Sequence, residues 1–380
     1  MYSLRDYGEM IADTDRFHAY SSAIAAAVRP GSTVLEIGCG PGLFSFLACR
    51  AGARKVYAID SEEIVHFARE LASVNGLADR LQLFEVDSRE LDLPERVDVI
   101  VSDIRGSLPF FGTAIAALHD ACERLLSPSG RLIPQRDTLR AALIEADDFY
   151  IRLLAPWSGS VPGLDFTRAR HLLLNTQYTQ DFKPEQLLTN AQSWAVLDYS
   201  AGASPSAAAD LTFSITRAGT AHGLCLWFDT VLSENIGYSS GPSARKNVYG
   251  QVFLPWLEPV PVQPGQDVRV RLQANRVGDD YVWCWGTEIA AQNGRPGRRF
   301  VQTTLQGAML SAESLRRRSA DFIPALSEAG QAERFLLDSI DGRASLQQIA
   351  QSAAARFPKI FPRWEAALRR AADLAAQFSR

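Results

Sequence analysis

The stretch from Val34 to Asp60 constrains the fold of this chain more than any other. It begins with the mostly apolar run Val34–Ile37 and closes with a second apolar run that stops at Asp60; a glycine turn and a helical pattern lie between. The turn contains three glycines, Gly38, Gly40 and Gly42. Apolar strands of this kind are typical of parallel sheets covered on both faces, and glycine lets a backbone approach a ligand closely. The stretch predicts a Rossmann-like, doubly wound α/β domain.

Two classes of cofactor use this geometry, dinucleotides and S-adenosylmethionine. In both, an acid about twenty residues after the turn, here Asp60, can accept hydrogen bonds from a ribose diol. The dinucleotide fingerprint has a glycine where this chain has Leu43, which argues against NAD. The string Glu36-Ile37-Gly38-Cys39-Gly40-Pro41-Gly42 resembles motif I of the Rossmann-type methyltransferases. That resemblance implies S-adenosylmethionine, with another nucleotide or a purely structural turn as the alternatives.

Composition excludes several classes of partner. The net charge of −4 gives no electrostatic reason to expect nucleic acid. The five cysteines are scattered, without a Cys-x-x-Cys pair or a histidine cluster, so neither a metal site nor a disulfide framework is expected. No apolar run approaches the length of a membrane span or a signal peptide. We therefore expect a cytoplasmic protein with no membrane partner.

The α/β alternation continues after Asp60 and then gives way to short strands. The predicted α/β elements are a helix at Glu62–Val74, strands at Leu81–Val86 and Val97–Ser102, a helix carrying Ile115 to Leu125, and a turn at Ser127–Gly130. Strands then follow at Leu211–Ile215, Leu224–Phe228, Val248–Leu254, Val268–Leu272 and Tyr281–Trp285, and helical periodicity returns at Glu333–Ser339, Ser345–Ala355 and Trp364–Phe378.

These patterns predict a sequence of domains. A helical lid occupies residues 1–30, the Rossmann-like domain 31–134, a β-barrel or sandwich 135–310, and a small helical module 311–380. The simplest interpretation of the lid is an amphipathic cap on the sheet.

This domain order and five local strings together resemble the protein arginine methyltransferase family over residues 7–310. The strings are Met10–Tyr20 in the lid, Ala51–Asp60, Val97–Asp103 before an acidic loop, Pro156–Phe166 in a dimerisation arm, and Ser239–Pro242 with Gln251–Phe253 around a Thr-His-Trp loop. The resemblance implies a homodimer that uses an arm at residues 156–184.

The resemblance also implies a cofactor site. Arg16 would pair with the methionyl carboxylate of S-adenosylmethionine. Asp60 would hold the ribose hydroxyls, and Asp87 with Ser88 would face the adenine. The full expected set is Arg16, Glu36, Gly38, Cys39, Gly40, Gly42, Asp60, Ser61, Asp87 and Ser88.

The chain departs from the family where the methyl acceptor would bind. A guanidinium acceptor arrives charged, and the family holds it with two glutamates on one loop. Here these positions fall on Asp103 and Gly112, and Arg105 inside the loop would repel a guanidinium unless it turns outward. The Thr-His-Trp positions fall on Lys246–Val248, which leaves Asp13 without its usual histidine partner. We expect Asp103 and Asp13 as catalytic residues, and as substrate-binding residues Tyr7, Met10, Arg105 and Asn247.

Three functions follow from this comparison. The leading hypothesis is an S-adenosylmethionine-dependent methyltransferase that acts on a nitrogen, or an oxygen, of an amino acid, a peptide or a specialised metabolite. The second is a true arginine guanidine methyltransferase, in which an acid such as Glu9 or Asp165 replaces the missing glutamate. The third is a relative that binds a cofactor or partner without chemistry.

The tail carries a separate, weaker resemblance. Phe335–Ala350 followed by Ala355–Pro358 is similar to the core of PqqD-like peptide-recognition domains, although the β-hairpin that normally precedes that core is not evident. The alternative is a helical packing extension.

Overall fold

The computed structural model describes residues 2–158, 163–291 and 296–379. These residues form two compact units that divide between Ala308 and Met309. Within the described ranges, no helix combines the length and apolar character that crossing a membrane requires.

The chain begins with two helices, α1 (Leu4–Ala12) and α2 (Thr14–Ala27). Asp13 separates them: its backbone is extended, and its carboxylate accepts a hydrogen bond from the Arg16 amide at 3.1 Å as the N-cap of α2. Helix α2 buries Tyr20 and its apolar neighbours against the first sheet. The predicted lid is therefore helical, but its helix is interrupted by a cap.

A five-stranded parallel sheet follows. Its elements are β1 (Thr33–Ile37), α3 (Leu43–Arg50), β2 (Lys55–Asp60), α4 (Ile64–Val74), β3 (Leu81–Glu85), β4 (Val97–Ser102), α5 (Ala114–Arg124) and β5 (Leu126–Ile133). The strand order is β3-β2-β1-β4-β5, so the direction of winding reverses between β1 and β4. Ligands of open α/β sheets bind at the carboxyl ends of the strands beside such a reversal. This confirms the predicted fold class.

The second part of this unit consists of two antiparallel sheets. Its elements are β6 (Arg136–Ile144), α6 (Asp147–Leu154), α7 (Thr167–Leu174), β7 (Tyr178–Gln180), β8 (Gln192–Asp198), β9 (Ala207–Ser214), β10 (Gly219–Ser233), β11 (Ile236–Ser239), β12 (Gln251–Val262), β13 (Asp267–Val277), β14 (Asp280–Ile289), β15 (Arg298–Thr303) and α8 (Thr304–Gly307). One sheet has the order β7-β12-β10-β6-β8, with β11 paired to β10, and the other β15-β14-β13-β9. Both sheets bury side chains in one core that includes Trp256, Trp283 and Trp285.

The loop after β4 ties the two parts together. Its Phe110 is buried, and its ring lies 5.5 Å from the rings of Trp194 and Tyr281 and 6.0 Å from that of Trp283. An aromatic side chain from the parallel-sheet half therefore completes the core of the antiparallel half, which fixes the loop over the strand ends.

Two local predictions are wrong, and the arm falls partly outside the described residues. Ser127–Gly130 belongs to β5, whose pairing with β4 shifts register there. Val248–Gly250 precedes β12 as a loop and is not the start of the strand. The predicted arm at 156–184 contains α7 and β7, but its residues 159–162 lie outside the part of the chain that the structure describes.

The second unit is helical in its described residues, with α9 (Ala312–Arg316), α10 (Glu328–Asp338), α11 (Leu346–Arg356) and α12 (Trp364–Phe378). It has its own core, which includes Leu336, Ile349, Phe361 and Leu374. Ser345 begins α11 with a capping box in which Gln348 takes part. A helical module was expected here, and α12 has the expected bounds.

Candidate active site

A cavity of about 610 Å³ lies at the carboxyl ends of the parallel strands. The expected site residues that line it are Tyr7, Met10, Arg16, Glu36, Gly38, Cys39, Gly40, Asp60, Ser61, Asp87, Ser88 and Asp103. The expected residues that are not among its lining are Asp13, Gly42, Arg105 and Asn247. The cavity thus brings together most of the expected cofactor residues, and the differences concentrate where the acceptor would bind.

The glycine turn forms a narrow wall of this cavity. Gly38 and Gly40 have φ of +72° and +50°, which side chains rarely adopt. A Cβ on Gly38 would lie 2.4 Å from Ile104 Cγ2, and one on Gly40 would lie 2.7 Å from Tyr7 Cε1. Gly42 is the N-cap of α3 and faces Phe46. The absence of Cβ atoms thus lets Ile104 and Tyr7 pack directly against the turn, and only glycine fits at these two positions.

Asp60 ends β2 beside that turn. Its Oδ2 accepts a hydrogen bond from the Gly40 amide at 2.9 Å, and its Oδ1 accepts one from the Glu62 amide at 3.1 Å. Burial raises the pKa of this carboxyl above its ordinary value. The two hydrogen bonds from backbone amides fix the orientation of the carboxylate. A fixed orientation favours hydrogen bonds from the hydroxyls of a ribose.

Glu36 lines the cavity and also forms hydrogen bonds inside the protein. It is buried, and it accepts hydrogen bonds from the Ser45 amide at 2.7 Å and from the Ser45 hydroxyl. Burial raises the pKa of Glu36 to about 8. This carboxyl therefore connects β1 to the first turn of α3 and holds the glycine turn between them.

The strand end after β3 supplies Asp87 and Ser88. The Asp87 carboxylate accepts a hydrogen bond from the Arg89 amide at 2.9 Å and pairs with the Arg89 guanidinium at 2.6 Å. The hydrogen bond from the Arg89 side chain lowers the pKa of Asp87. Both residues line the cavity, but the Asp87 carboxylate already has a cationic partner.

Arg16 and Asp103 form a buried ion pair on the opposite wall. Arg16 Nε donates to Asp103 Oδ2 at 2.6 Å and to the Tyr249 hydroxyl at 3.1 Å, and its Nη1 donates to the Met10 carbonyl at 3.0 Å. Its guanidinium also lies 4.9 Å from the centre of the Phe44 ring. Arg16 thus lines the cavity, as expected, and at the same time holds Asp103.

Arg105 turns into the protein, not outward or toward the acceptor. Its side chain is 1% exposed and donates to Asp103 Oδ1 at 3.0 Å and to Asp137 at 2.8 Å. It also donates to the hydroxyls of Thr230 at 2.7 Å and Tyr238 at 2.6 Å. With two carboxylates inside the protein, the guanidinium is stabilised there. This corrects the expectation that Arg105 contacts the substrate or turns to solvent.

Asp103 is therefore ionised, and both of its carboxylate oxygens accept hydrogen bonds. Burial alone would raise its pKa, but the charges of Arg16 and Arg105 and the hydrogen bond from Tyr249 outweigh burial and hold the pKa at about 2. The Tyr249 hydroxyl donates to Asp103 Oδ2 at 2.5 Å. A carboxyl with so low a pKa orients and balances positive charge, and it is a poor proton acceptor at neutral pH.

Asp13 has no histidine partner, as expected, but it has another hydrogen-bond donor. Besides capping α2, its Oδ2 accepts a hydrogen bond from the Val248 amide at 3.1 Å. The lid therefore binds the loop before β12 through a backbone amide, where the family uses a histidine. Asn247 accepts a hydrogen bond from the Tyr249 amide and lies outside the cavity, which Val248 and Tyr249 line in its place.

Sequence reasoning missed Tyr249. Its hydroxyl contacts Asp103, Arg16 and the Tyr238 hydroxyl, the last at 2.7 Å. The only sequence signal is its position directly after the strings aligned with the Thr-His-Trp loop, and only the hydrogen-bond network reveals its contact with an acid 146 positions away.

The mouth of the cavity on the acceptor side is formed by the loop after β4. Ser107, Phe111 and Gly112 line it. Gly112 has a φ of +49°, and no heavy atom lies within 4 Å of the place where its Cβ would stand. The position of the family's second glutamate is thus open space next to the cavity.

The described part of the chain contains no group of three or more histidine, cysteine, aspartate or glutamate side chains that could hold a metal ion. The cysteines are all free. The groups around the cavity fit S-adenosylmethionine, since the Arg16 guanidinium can donate to its carboxylate and the Asp60 carboxylate can accept from its ribose hydroxyls.

Comparisons with known proteins match both halves of the first unit. Residues 21–135 match the family model of ribosomal protein L11 methyltransferase (PrmA), and residues 135–283 match the arginine methyltransferase oligomerization subdomain. The chain is 28% identical over 275 residues to arginine N(omega)-methyltransferase of Streptomyces achromogenes, which covers 69% of this chain and 74% of that protein. Its fold resembles the Trypanosoma brucei PRMT1 enzyme-prozyme heterotetrameric complex with AdoHcy, at a TM-score of 0.71 and 21% identity, covering 78% of this chain and 96% of that one.

A further relative decides the family. Protein arginine N-methyltransferase 1 of Schizosaccharomyces pombe is 30% identical over 273 residues, which is 69% of this chain and 79% of that protein. The two family models together span residues 21–283, which include the parallel sheet, the loop after β4 and most strands of the antiparallel sheets. The chain belongs to the protein arginine methyltransferase family of S-adenosylmethionine-dependent enzymes.

Proposed function

We propose that this enzyme transfers a methyl group from S-adenosylmethionine to a guanidine nitrogen of arginine, free or within a peptide or protein. The observation that carries the proposal is the ionised Asp103 at the acceptor end of the cofactor cavity. Family membership supports it, and so do the names of the relatives from fission yeast and Streptomyces, which both act on arginine. Arginine methylation therefore takes precedence over the broader set of acceptors expected from sequence.

When bound, the cofactor supplies an electrophilic methyl group on its sulfonium. The acceptor nitrogen would gain this methyl group, the cofactor would leave as S-adenosylhomocysteine with the electron pair of the broken bond, and the proton of the nitrogen would pass to solvent water. Arg16 would bind the cofactor's carboxylate and Asp60 its ribose, and together they would fix the orientation of the cofactor in the cavity. Asp103 would orient the guanidinium and balance its charge. Since the pKa of Asp103 is about 2, this residue does not take the proton.

The test is transfer of labelled methyl from S-adenosylmethionine to free arginine and to an arginine-rich peptide, followed by mass spectrometry of the product. We expect methylated guanidine, and a loss of at least about a hundredfold in kcat/KM for Asp103→Asn. Asp210→Asn is a matched control, because that carboxylate is exposed on β9 and does not line the cavity. Absence of transfer to both acceptors would refute arginine methylation.

A second candidate is methylation of a nitrogen that is not part of a guanidinium, in an amino acid, a peptide or a specialised metabolite. The observation that favours it is the charge balance around Asp103. Arg16 and Arg105 both pair with this acid, and Gly112 supplies no second carboxylate. Two cations on one acid would repel a third. Transfer to a citrulline-containing peptide, without transfer to its arginine counterpart, would select this candidate.

We also propose that the enzyme is a homodimer. Residues 135–283 match an oligomerization subdomain. Two large apolar side chains of the predicted arm, Trp157 and Leu164, are 38% and 58% exposed in the single chain. Exposed apolar side chains of this size on one segment fit a subunit contact.

A further inference from the structure

A line of four charged side chains begins at the cavity wall and ends inside the antiparallel half of the fold. Arg16 pairs with Asp103 at 2.6 Å, and Asp103 pairs on its other side with Arg105 at 3.0 Å. Arg105 in turn pairs with Asp137 at 2.8 Å. The four side chains are at most 9% exposed. Charges of opposite sign thus alternate along the line, and solvent screens them little.

Asp137 is the innermost member of this line and belongs to β6. Its side chain is fully buried, and it is not among the residues that line the cavity. Its Oδ1 accepts a hydrogen bond from Arg105 Nη1, and its Oδ2 accepts one from the Tyr199 hydroxyl at 2.7 Å. Because both oxygens already have donors inside the protein, Asp137 can act on an acceptor only through Arg105.

Arg105 is held at the point where it contacts both acids. Besides the two carboxylates, it donates to the hydroxyls of Thr230 at 2.7 Å, Tyr20 at 2.9 Å and Tyr238 at 2.6 Å. Of these five partners, only Asp103 lines the cavity. The positive charge of Arg105 therefore stays beside Asp103, and a ligand in the cavity has no direct contact with the groups that hold it.

The balance of charge in this line decides how the site would receive a cationic acceptor. Asp103 with Arg16 and Arg105 alone would carry one positive charge in excess, which would repel a guanidinium. With Asp137 included, acids and arginines balance. The repulsion that would favour an uncharged acceptor is thereby reduced, although Gly112 adds no carboxylate to the loop after β4.

We propose that Asp137 is the second acid of the acceptor site and acts through Arg105: it neutralises that guanidinium, so that Asp103 can attract a cationic acceptor. That this acceptor is an arginine rests on the proposed function. Asp137 does not touch the acceptor and is a positioning residue. It supplies the charge, but not the direct hydrogen bonds, of the second glutamate that the resemblance to the family implies at Gly112.

The first experiment removes the charge of Asp137 and keeps the size of its side chain. Saturated with S-adenosylhomocysteine, Asp137→Asn should bind a peptide with a single arginine about tenfold more weakly than the wild type does, as expected for one uncompensated buried charge. The citrulline counterpart of the peptide carries no charge, so its affinity should stay unchanged. Isothermal titration calorimetry measures both. Unchanged affinity for the arginine peptide, or an equal loss for both peptides, would overturn the proposal.

A double variant separates the effect of charge from that of folding. Asp137→Asn leaves the buried Arg105 with one anion fewer, which destabilises the protein as well as changing its charge. Arg105→Met combined with Asp137→Asn removes one charge of each sign and restores the balance. We expect this double variant to bind the arginine peptide within about threefold of the wild type, and therefore more tightly than Asp137→Asn.

The comparison of the double variant with the wild type stands even if Asp137→Asn alone does not fold. The stoichiometry of S-adenosylhomocysteine binding gives the folded fraction of each protein. A double variant that loses tenfold or more in affinity for the arginine peptide, while its affinity for the citrulline peptide is kept, would overturn the proposal.

Methyl transfer distinguishes failure of this inference from failure of the proposed function. Asp137→Asn should raise KM for the arginine peptide by the same factor by which its affinity falls. A wild type that methylates arginine, with an unchanged KM in the variant, would overturn the role of Asp137 and leave the proposed function intact. A wild type that transfers no methyl to arginine, but whose affinity for the arginine peptide falls in Asp137→Asn, would refute the proposed function and support the role of Asp137.

Discussion

Gly112 stands where the resemblance to the family implies a second glutamate, and the structure makes the effect of this glycine testable. A side chain at this position would enter open space at the cavity mouth, at the cost of a left-handed backbone of about 1 kcal/mol. We expect Gly112→Glu to raise kcat/KM on an arginine peptide about tenfold over Gly112→Gln, because only the former adds a carboxylate near the guanidinium. Initial rates measure this. Equal rates for the two variants would mean that the acceptor does not need a second acid.

Glu36 gives stability a distinctive pH dependence. Its pKa is about 8 in the folded protein and near 4.5 in the unfolded chain, so between these values the folded state binds more protons than the unfolded state. The contribution of Glu36 to stability is therefore greatest at acidic pH and falls as pH rises toward 8, by as much as about 1.4 kcal/mol per pH unit.

Glu36→Gln replaces the titrating carboxyl by an amide that does not titrate. The contribution of this position to the free energy of unfolding then no longer depends on pH. We expect the two proteins to have similar free energies of unfolding near pH 5, and the variant to become the more stable one as pH approaches 8. Urea denaturation at four pH values between 5 and 8 provides the measurement. Parallel curves for variant and wild type would show that Glu36 is ionised throughout this range.

At the scale of elements, the acceptor loop after β4 depends on one aromatic anchor. Phe110 is 3% exposed among Trp194, Tyr281 and Trp283, whereas its neighbour Phe111 is 60% exposed and lines the cavity. We expect Phe110→Ala to lower the free energy of unfolding by about 3–5 kcal/mol and to raise KM for the acceptor, since the loop loses its attachment.

Phe111→Ala is the matched control for this anchor. It removes the same atoms from a neighbouring, exposed position and should leave the melting temperature within about a degree or two of the wild type. Thermal unfolding of both variants measures the contrast. Similar losses for the two would contradict the anchoring role of Phe110.

The elements also show what sequence can predict in this fold. The buried parallel strands and the glycine turn follow from local composition, because a strand covered on both faces must be apolar and only glycine fits the turn. The division between α1 and α2 at Asp13 was missed, because capping depends on one side chain that the apolar periodicity does not register. The hydrogen bonds of Asp103 could not be predicted, since they join residues that are distant in sequence, such as Tyr249.

At the scale of the whole molecule, the proposed dimer predicts a mass in light scattering of twice the 41.7 kDa of one chain. Replacing both exposed apolar side chains of the arm, Trp157→Ser with Leu164→Ser, should give a monomer with reduced activity, because the arm would lose its apolar contact. Val196→Ser, at a similarly exposed position on β8, is the control and should stay dimeric. A monomeric wild type at micromolar concentration would contradict the proposal.

The double role of Asp13 connects movement of the lid to exposure of the loop before β12. One carboxylate caps α2 and also accepts the amide of Val248, so a movement of α1 and α2 away from the cavity would break this attachment of the loop that carries the exposed Arg245 and Lys246. The rate of cleavage by a protease that cuts after basic residues would then measure how often the lid opens. The rate of tryptic cleavage at these two positions should fall when S-adenosylhomocysteine keeps the lid closed, and Asp13→Asn should weaken that protection. Cleavage in the loop before β12 would thus depend on whether the cofactor site is occupied.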